Sequence, residues 1–82
     1  MEDEIARRVI LTIQDQLGIS TEQITPERSL VADLAYDSMD QVETVMFLEE
    51  EFSIRIEDDD AEACKTVADL IALVKKQMGK PA

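Results

Sequence analysis

Eighty-two residues carry 19 acidic and 8 basic side chains and no histidine, for a net charge of −11. A field of that sign repels nucleic acid and anionic membrane surfaces and attracts basic protein patches, and the lack of histidine removes the commonest general base. Apolar residues make up 45% of the chain but aromatics only 4%, so the core has to be aliphatic, and with this length the expectation is a single small helical domain over residues 1–82.

No apolar run is long enough to span a bilayer, and the opening "MEDEIARRV" has neither the basic lead nor the hydrophobic centre of a secretory signal. No membrane insertion and a cytoplasmic location are expected, and the lone Cys64, which has no partner for an internal disulfide, fits a reducing compartment.

Ile5, Val9, Ile13 and Leu17 recur every fourth residue with Ala6 and Ile10 beside them, which predicts an amphipathic helix from about Asp3 to Leu17. Gly18 ends it, with Ile19 placed to fold back on the last turn. The next stretch, "ISTEQITPERSLVADLAY", holds Ser20 and Thr25 as local caps and Pro26 as a breaker. It predicts a long ordered connection with room for one short helical turn, pinned by Ile24, Leu30 and Leu34.

Asp37 is the N-cap expected for the second helix, with Ser38 first and Asp40 at N3, and Met39, Val42, Val45, Met46, Leu48 and Phe52 are expected to face inward. "SIRIEDDDAEAC" predicts an extended link in which Ile54 and Ile56 alternate with polar residues, then a short acid-opened helix near Asp59 to Cys64. Thr66 caps the last helix, "VADLIALVKKQM", with Asp69 at N3. Val67, Leu70, Ile71, Val74 and Met78 are expected inward, Lys75 and Lys76 lie near the negative end of the dipole, and Gly79 and Pro81 stop the helix. The fold class is therefore all-α, a small up-down bundle of three main helices and one short one.

The charge is concentrated. From Asp37 to Glu62 eleven acids face the single base Arg55, which places −10 of the −11 there. Scattered charge would serve solubility alone, but a concentrated block favours a docking surface for basic partners. Steps of three and four along the second helix put Asp40, Glu43, Phe47 and Glu50 or Glu51 on one expected partner-binding strip, ending at Ser38.

Ser38 is not a credible nucleophile in its own right. A catalytic serine needs a neighbouring base and an oxyanion site, whereas here the neighbours are the acids Asp37 and Asp40. It is either a good residue for a helix start or the substrate of another enzyme, since a phosphate ester on a first-turn hydroxyl would meet backbone N–H groups and the positive end of the dipole.

These residues carry a family resemblance. "DLAYDSMDQVETVMFLEEEF" resembles the prosthetic-group attachment region of acyl carrier proteins, in which an Asp-Ser-Leu triplet opens the second helix and acids continue along it. The likeness covers nearly the whole chain, through "QLG", "ITPERSLVADL", "LEEEFSIRI" and "TVADLIALV" in family order. It implies that Ser38, flanked by Asp37 and Met39, receives 4′-phosphopantetheine from coenzyme A through a separate phosphopantetheinyl transferase. The chain would then be a monomeric carrier rather than an enzyme. It would hold acyl groups as thioesters for acyl-loading and acyl-processing enzymes of fatty-acid or related polyketide and specialised lipid biosynthesis. The alternative is an acidic adaptor of the same fold that is never modified.

An acyl chain on such an arm is expected to enter a pocket where Leu48, Ile56, Ala61, Cys64 and Ile71 converge, with Ala61 as the narrow point. Two features depart from the family pattern. Met39 replaces leucine at similar volume, and Ala35 and Tyr36 stand where glycine and a small residue are common. Tyr36 and Phe47 either cover the rim of a thin core or mark a carrier with a narrow set of partners. No metal site is expected: "DDDAEACKTVAD" opens like a calcium loop, but Ala63 holds the glycine position and Asp69 that of the closing glutamate. Cys64, beside Lys65 alone among bases, is expected to be a buried structural thiol.

Overall fold

The computed structural model describes residues 4–79, so Asp3 and Pro81, expected at the two helical limits, lie outside the described residues. Four α-helices follow in order: α1 (Glu4–Leu17), α2 (Ser38–Phe52), α3 (Asp58–Glu62) and α4 (Val67–Met78), with a single 3-10 turn at Thr21–Gln23. No strand forms among the described residues. Ser29 and Thr66 make an isolated antiparallel bridge.

Helix α1 packs on both α2 and α4, and α3 packs on α4. Val9 and Ile13 of α1, Leu48 of α2 and Val67 and Val74 of α4 are fully buried, which makes the aliphatic centre that the composition demands. Gly18 takes φ +70° and its amide bonds to the Gln14 carbonyl at 2.7 Å, closing α1 with the left-handed turn that glycine tolerates best.

The α1–α2 connection is stitched down. Ser20 caps the 3-10 turn through its Oγ, the Thr25 carbonyl accepts from the Arg28 amide, and Ile24 and Leu30 are buried as anchors. The amides of Ala68 and Val67 donate to the carbonyls of Pro26 and Arg28, and the Leu30 amide donates to Lys65, all between 2.9 and 3.1 Å. Within the loop, Asp33 Oδ2 accepts from the Ser29 amide at 2.7 Å. These bonds fix the loop against the start of α4 and so determine where α2 begins.

Both expected capping boxes are present: Asp37 with Asp40 on α2, and Thr66 with Asp69 on α4. The short helix differs slightly from expectation. It begins at Asp58, where the acid run meets the positive end of the dipole, and ends at Glu62 with Ala63 as C-cap. Ile54 and Ile56 do lie in an extended link packed on the core.

Two inward faces need correction. On α2 the buried stripe is Thr44, Leu48 and Phe52, with Val45 partly buried, whereas Met39, Val42 and Met46 are 72%, 60% and 50% exposed. The helix carries apolar residues on two faces, and contacts from distant residues choose between them. On α4 Met78 is exposed and Leu73 is buried, because the last turn overruns the core while Leu73 faces it.

Candidate functional site

Ser38 is the first residue of α2 and is exposed. Asp37 rather than Ser38 supplies the cap: Asp37 Oδ1 accepts from the Asp40 amide at 2.8 Å, and Asp40 Oδ2 accepts from the Asp37 amide at 3.1 Å. The Ser38 hydroxyl is thus free of the capping duty. No partner is found among the described residues for the first-turn amides of Ser38 and Met39, at the positive end of a 15-residue helix. An ester phosphate on Ser38 fits this geometry, since it would meet donors rather than displace them.

The two residues before the cap are those at which the sequence departs from the family pattern. Ala35 takes φ +57°, a left-handed conformation in which glycine is the least strained residue. Next to it Tyr36 is not a rim residue but a core residue, 5% exposed. Its hydroxyl lies 2.7 Å from Thr44 Oγ1 and 3.3 Å from Gln16 Oε1. Thr44 Oγ1 also bonds to Gln16 Oε1, and Gln16 Nε2 donates to the Asp40 carbonyl at 2.8 Å. The arrangement that satisfies every group runs Tyr36 to Thr44 to Gln16 to Asp40, each donating to the next, and no buried side-chain polar atom among the described residues lacks a partner. Burial raises the Tyr36 phenol above its ordinary value, so it stays a donor. Sequence reasoning missed Gln16 and Thr44. The i, i+4, i+8 spacing of Thr44, Leu48 and Phe52 was the available signal.

On the other flank of α2 a groove of about 930 Å³ starts at Ser38. Val42, Val45, Met46, Ile54, Ile56 and Ala61 give it apolar walls, and Gln41, Glu49 and Arg55 are among its polar lining. Of the five residues expected to form a pocket, Ile56 and Ala61 line this groove. Leu48, Cys64 and Ile71 are buried in the core and do not line it. Burial, with the charges of Asp69 and Asp60 adding, pushes the Cys64 thiol up to about 11, so it is protonated and inert at neutral pH, the structural role expected of it.

The five acids and rings expected on one strip divide. Glu43, Phe47 and Glu50 are exposed on the outer face of α2 beside Met39, Val42 and Met46. Asp40 is half-buried and engaged in the capping box. Glu51 points to α1, where Arg8 reaches its carboxylate and its carbonyl, both at 2.9 Å, and Arg8 also lies 4.4 Å from the centroid of the Phe52 ring. Phe47 and Glu50 lie beside Thr12, Asp15 and Gln16 of α1 at a smaller depression. No group of three or more acidic or cysteine side chains could hold a metal among the described residues, and no described helix is long and apolar enough to cross a membrane.

The start of α2 thus presents one exposed hydroxyl beside a groove with apolar walls and a charged rim. Residues 7–74 match the family described as "Phosphopantetheine attachment site". The chain is 45% identical over 73 residues to an acyl carrier protein of Nitratidesulfovibrio vulgaris, covering 89% of this chain and 96% of that one. It is 40% identical over 77 residues to an acyl carrier protein of Thermosynechococcus vestitus, covering 94% and 95%. A solved structure assigned as an acyl carrier protein in Mycobacterium tuberculosis superposes with a TM-score of 0.83 at 35% identity, over 88% of this chain and 96% of that one.

The chain belongs to the acyl carrier protein family. Members are carriers rather than enzymes, they hold a covalently attached 4′-phosphopantetheine, and they work with a phosphopantetheinyl transferase and with biosynthetic enzymes.

Proposed function

We propose that residues 1–82 act as one carrier domain in which Ser38 is the attachment point of the 4′-phosphopantetheine arm. The observation that carries this is the exposed Ser38 at the first position of α2, relieved of capping by Asp37 and opening on the groove. The arm supplies a terminal thiol on which an acyl group rides as a thioester. The chain's own residues orient and shelter that group. Asp37 and Asp40 are held in the capping box and there is no histidine, so the base that takes the Ser38 proton comes from the transferase.

The cargo is an acyl intermediate of fatty-acid or related biosynthesis, and the groove past Ser38 is its shelter. Glu43 and Glu50, beside the exposed Met39, Val42, Met46 and Phe47, form the face that meets partners, whose complementary surface is basic around an apolar centre. Asp40 and Glu51 support that face from the α1 side rather than meeting partners directly. Self-repulsion from −11 favours a monomer, and a single cysteine suits the cytoplasm.

Incubation with coenzyme A and a transferase, followed by intact mass and peptide mapping, tests the reading. One phosphopantetheine on Ser38 is expected. An unmodified chain across several transferases would favour the adaptor instead. With an active transferase, Glu43→Lys is expected to slow association severalfold, with the defect shrinking as salt rises.

A further inference from the structure

One side chain ties the α2 wall of the groove to its α3 wall. Gln41 lies one turn beyond Ser38 on α2, and its Nε2 donates across the groove to the carbonyl of Ala61, the buried residue of α3. That carbonyl sits near the end of a five-residue helix, and besides Gln41 it accepts from the Cys64 amide at 3.1 Å and from the Ala63 cap amide. Further along α2, Glu49, which also lines the groove, accepts from the Ile56 amide through Oε2 at 2.9 Å. Val45 falls between Gln41 and Glu49 along α2, and with Ile54 and Ile56 it supplies apolar wall to the groove.

We propose that Gln41 is a gate that sets which acyl chains the carrier shelters. The bond to Ala61 is closed while the groove is empty, and it opens when a chain led from Ser38 passes into the apolar interior. A chain too short to reach Val45 and Ile54 gains no apolar contact to offset the broken bond and stays outside. A neutral hydrogen bond favours the closed form about fivefold, and each buried methylene favours occupancy about fourfold. The gate therefore moves the sheltering threshold by roughly one carbon. Its location on α2 matters, because α3 has no other side-chain bond to that helix among the described residues. This inference rests on the groove being the acyl shelter.

Gln41→Met keeps length and removes the donor, which separates the gate from simple widening of the groove. Two readouts on the full chain test it. In the unmodified protein, amide exchange at Ala63 and Cys64 is expected to rise about fivefold relative to wild type, while that at Val9 and Ile13 stays unchanged. On protein loaded with acetyl to dodecanoyl arms, resistance of the thioester to hydroxylamine is expected to set in about one carbon earlier in Gln41→Met, with acetyl unprotected in both. Unchanged exchange at Ala63 and Cys64 would mean that the bond does not form in solution and would overturn the gate. Faster exchange with an unshifted onset would also overturn it, leaving Gln41 a structural tie. Absence of protection at every chain length in wild type would overturn the groove as shelter, and the gate with it.

Discussion

Helix α2 is bolted to α1 by a continuous polar chain from Tyr36 through Thr44 and Gln16 to the Asp40 carbonyl, reinforced by Arg8 on Glu51 and Phe52. On its other flank it faces α3 and the preceding link across an apolar groove crossed by the Gln41 and Glu49 bonds. The same helix thus has a flank in which every buried polar group is committed and a flank with apolar walls and a charged rim that is lightly tied. On the proposed function the two flanks divide the work: a fixed start for α2 would present an arm on Ser38 in one direction, and a lightly tied side would yield to a chain of variable length.

The sharpest way to break the comparison is to remove the ring that builds the fixed flank. Tyr36→Ala is expected to cost about 3–5 kcal/mol, enough to unfold much of a domain this small, whereas Tyr36→Phe, which leaves Thr44 Oγ1 without its donor, is expected to cost about 1–2 kcal/mol. Denaturant melts of the two variants check both values. Arg8→Ala loses a half-exposed ion pair, a carbonyl contact and the ring contact together. A loss of about 1 kcal/mol is expected, smaller at high salt.

Relief of backbone strain sharpens the comparison in the opposite direction. Ala35 and Ser53 hold φ of +57° and +53° at the two ends of α2. Ala35→Gly and Ser53→Gly are each expected to stabilise the fold by about 0.5–1 kcal/mol, the left-handed strain removed less the added freedom of the unfolded chain. Thermal melts would show the gain.

The smallest effect concerns pH. The Lys65 and Thr66 amides hold the Asp69 carboxyl below its ordinary value of 3.8. Its contribution is therefore fully present above 3.8 and is lost as pH falls through the lower folded value. Wild type should lose melting temperature more steeply than Asp69→Asn below that point, and the two curves should run parallel above it.

The parts of this molecule that were legible in the sequence are those fixed by local chemistry. Asp37 with Asp40 and Thr66 with Asp69 announce the starts of α2 and α4 because a capping box involves residues three apart. Gly18 announces the end of α1 because one residue alone must go left-handed there. The buried face of α2 was not legible in the same way. Met39, Val42 and Met46 form one apolar stripe and Leu48 and Phe52 another, and the choice is made by Tyr36 and Gln16, 8 and 28 residues from Thr44. The lining of the groove was legible only at two of the five expected residues, for a related reason. Ile56 and Ala61 line it, but burial of Leu48, Cys64 and Ile71 depends on how α3 rests on α4, which no local pattern encodes.

Amide chemical shifts compared between the phosphopantetheine form and the octanoyl form test the two-flank account most directly. It predicts changes clustered at Val45, Ile54, Ile56 and Ala61, with Gln16, Tyr36 and Thr44 unmoved. Changes clustered instead at Thr12, Gln16 and Phe47, on the α1 side, would contradict it.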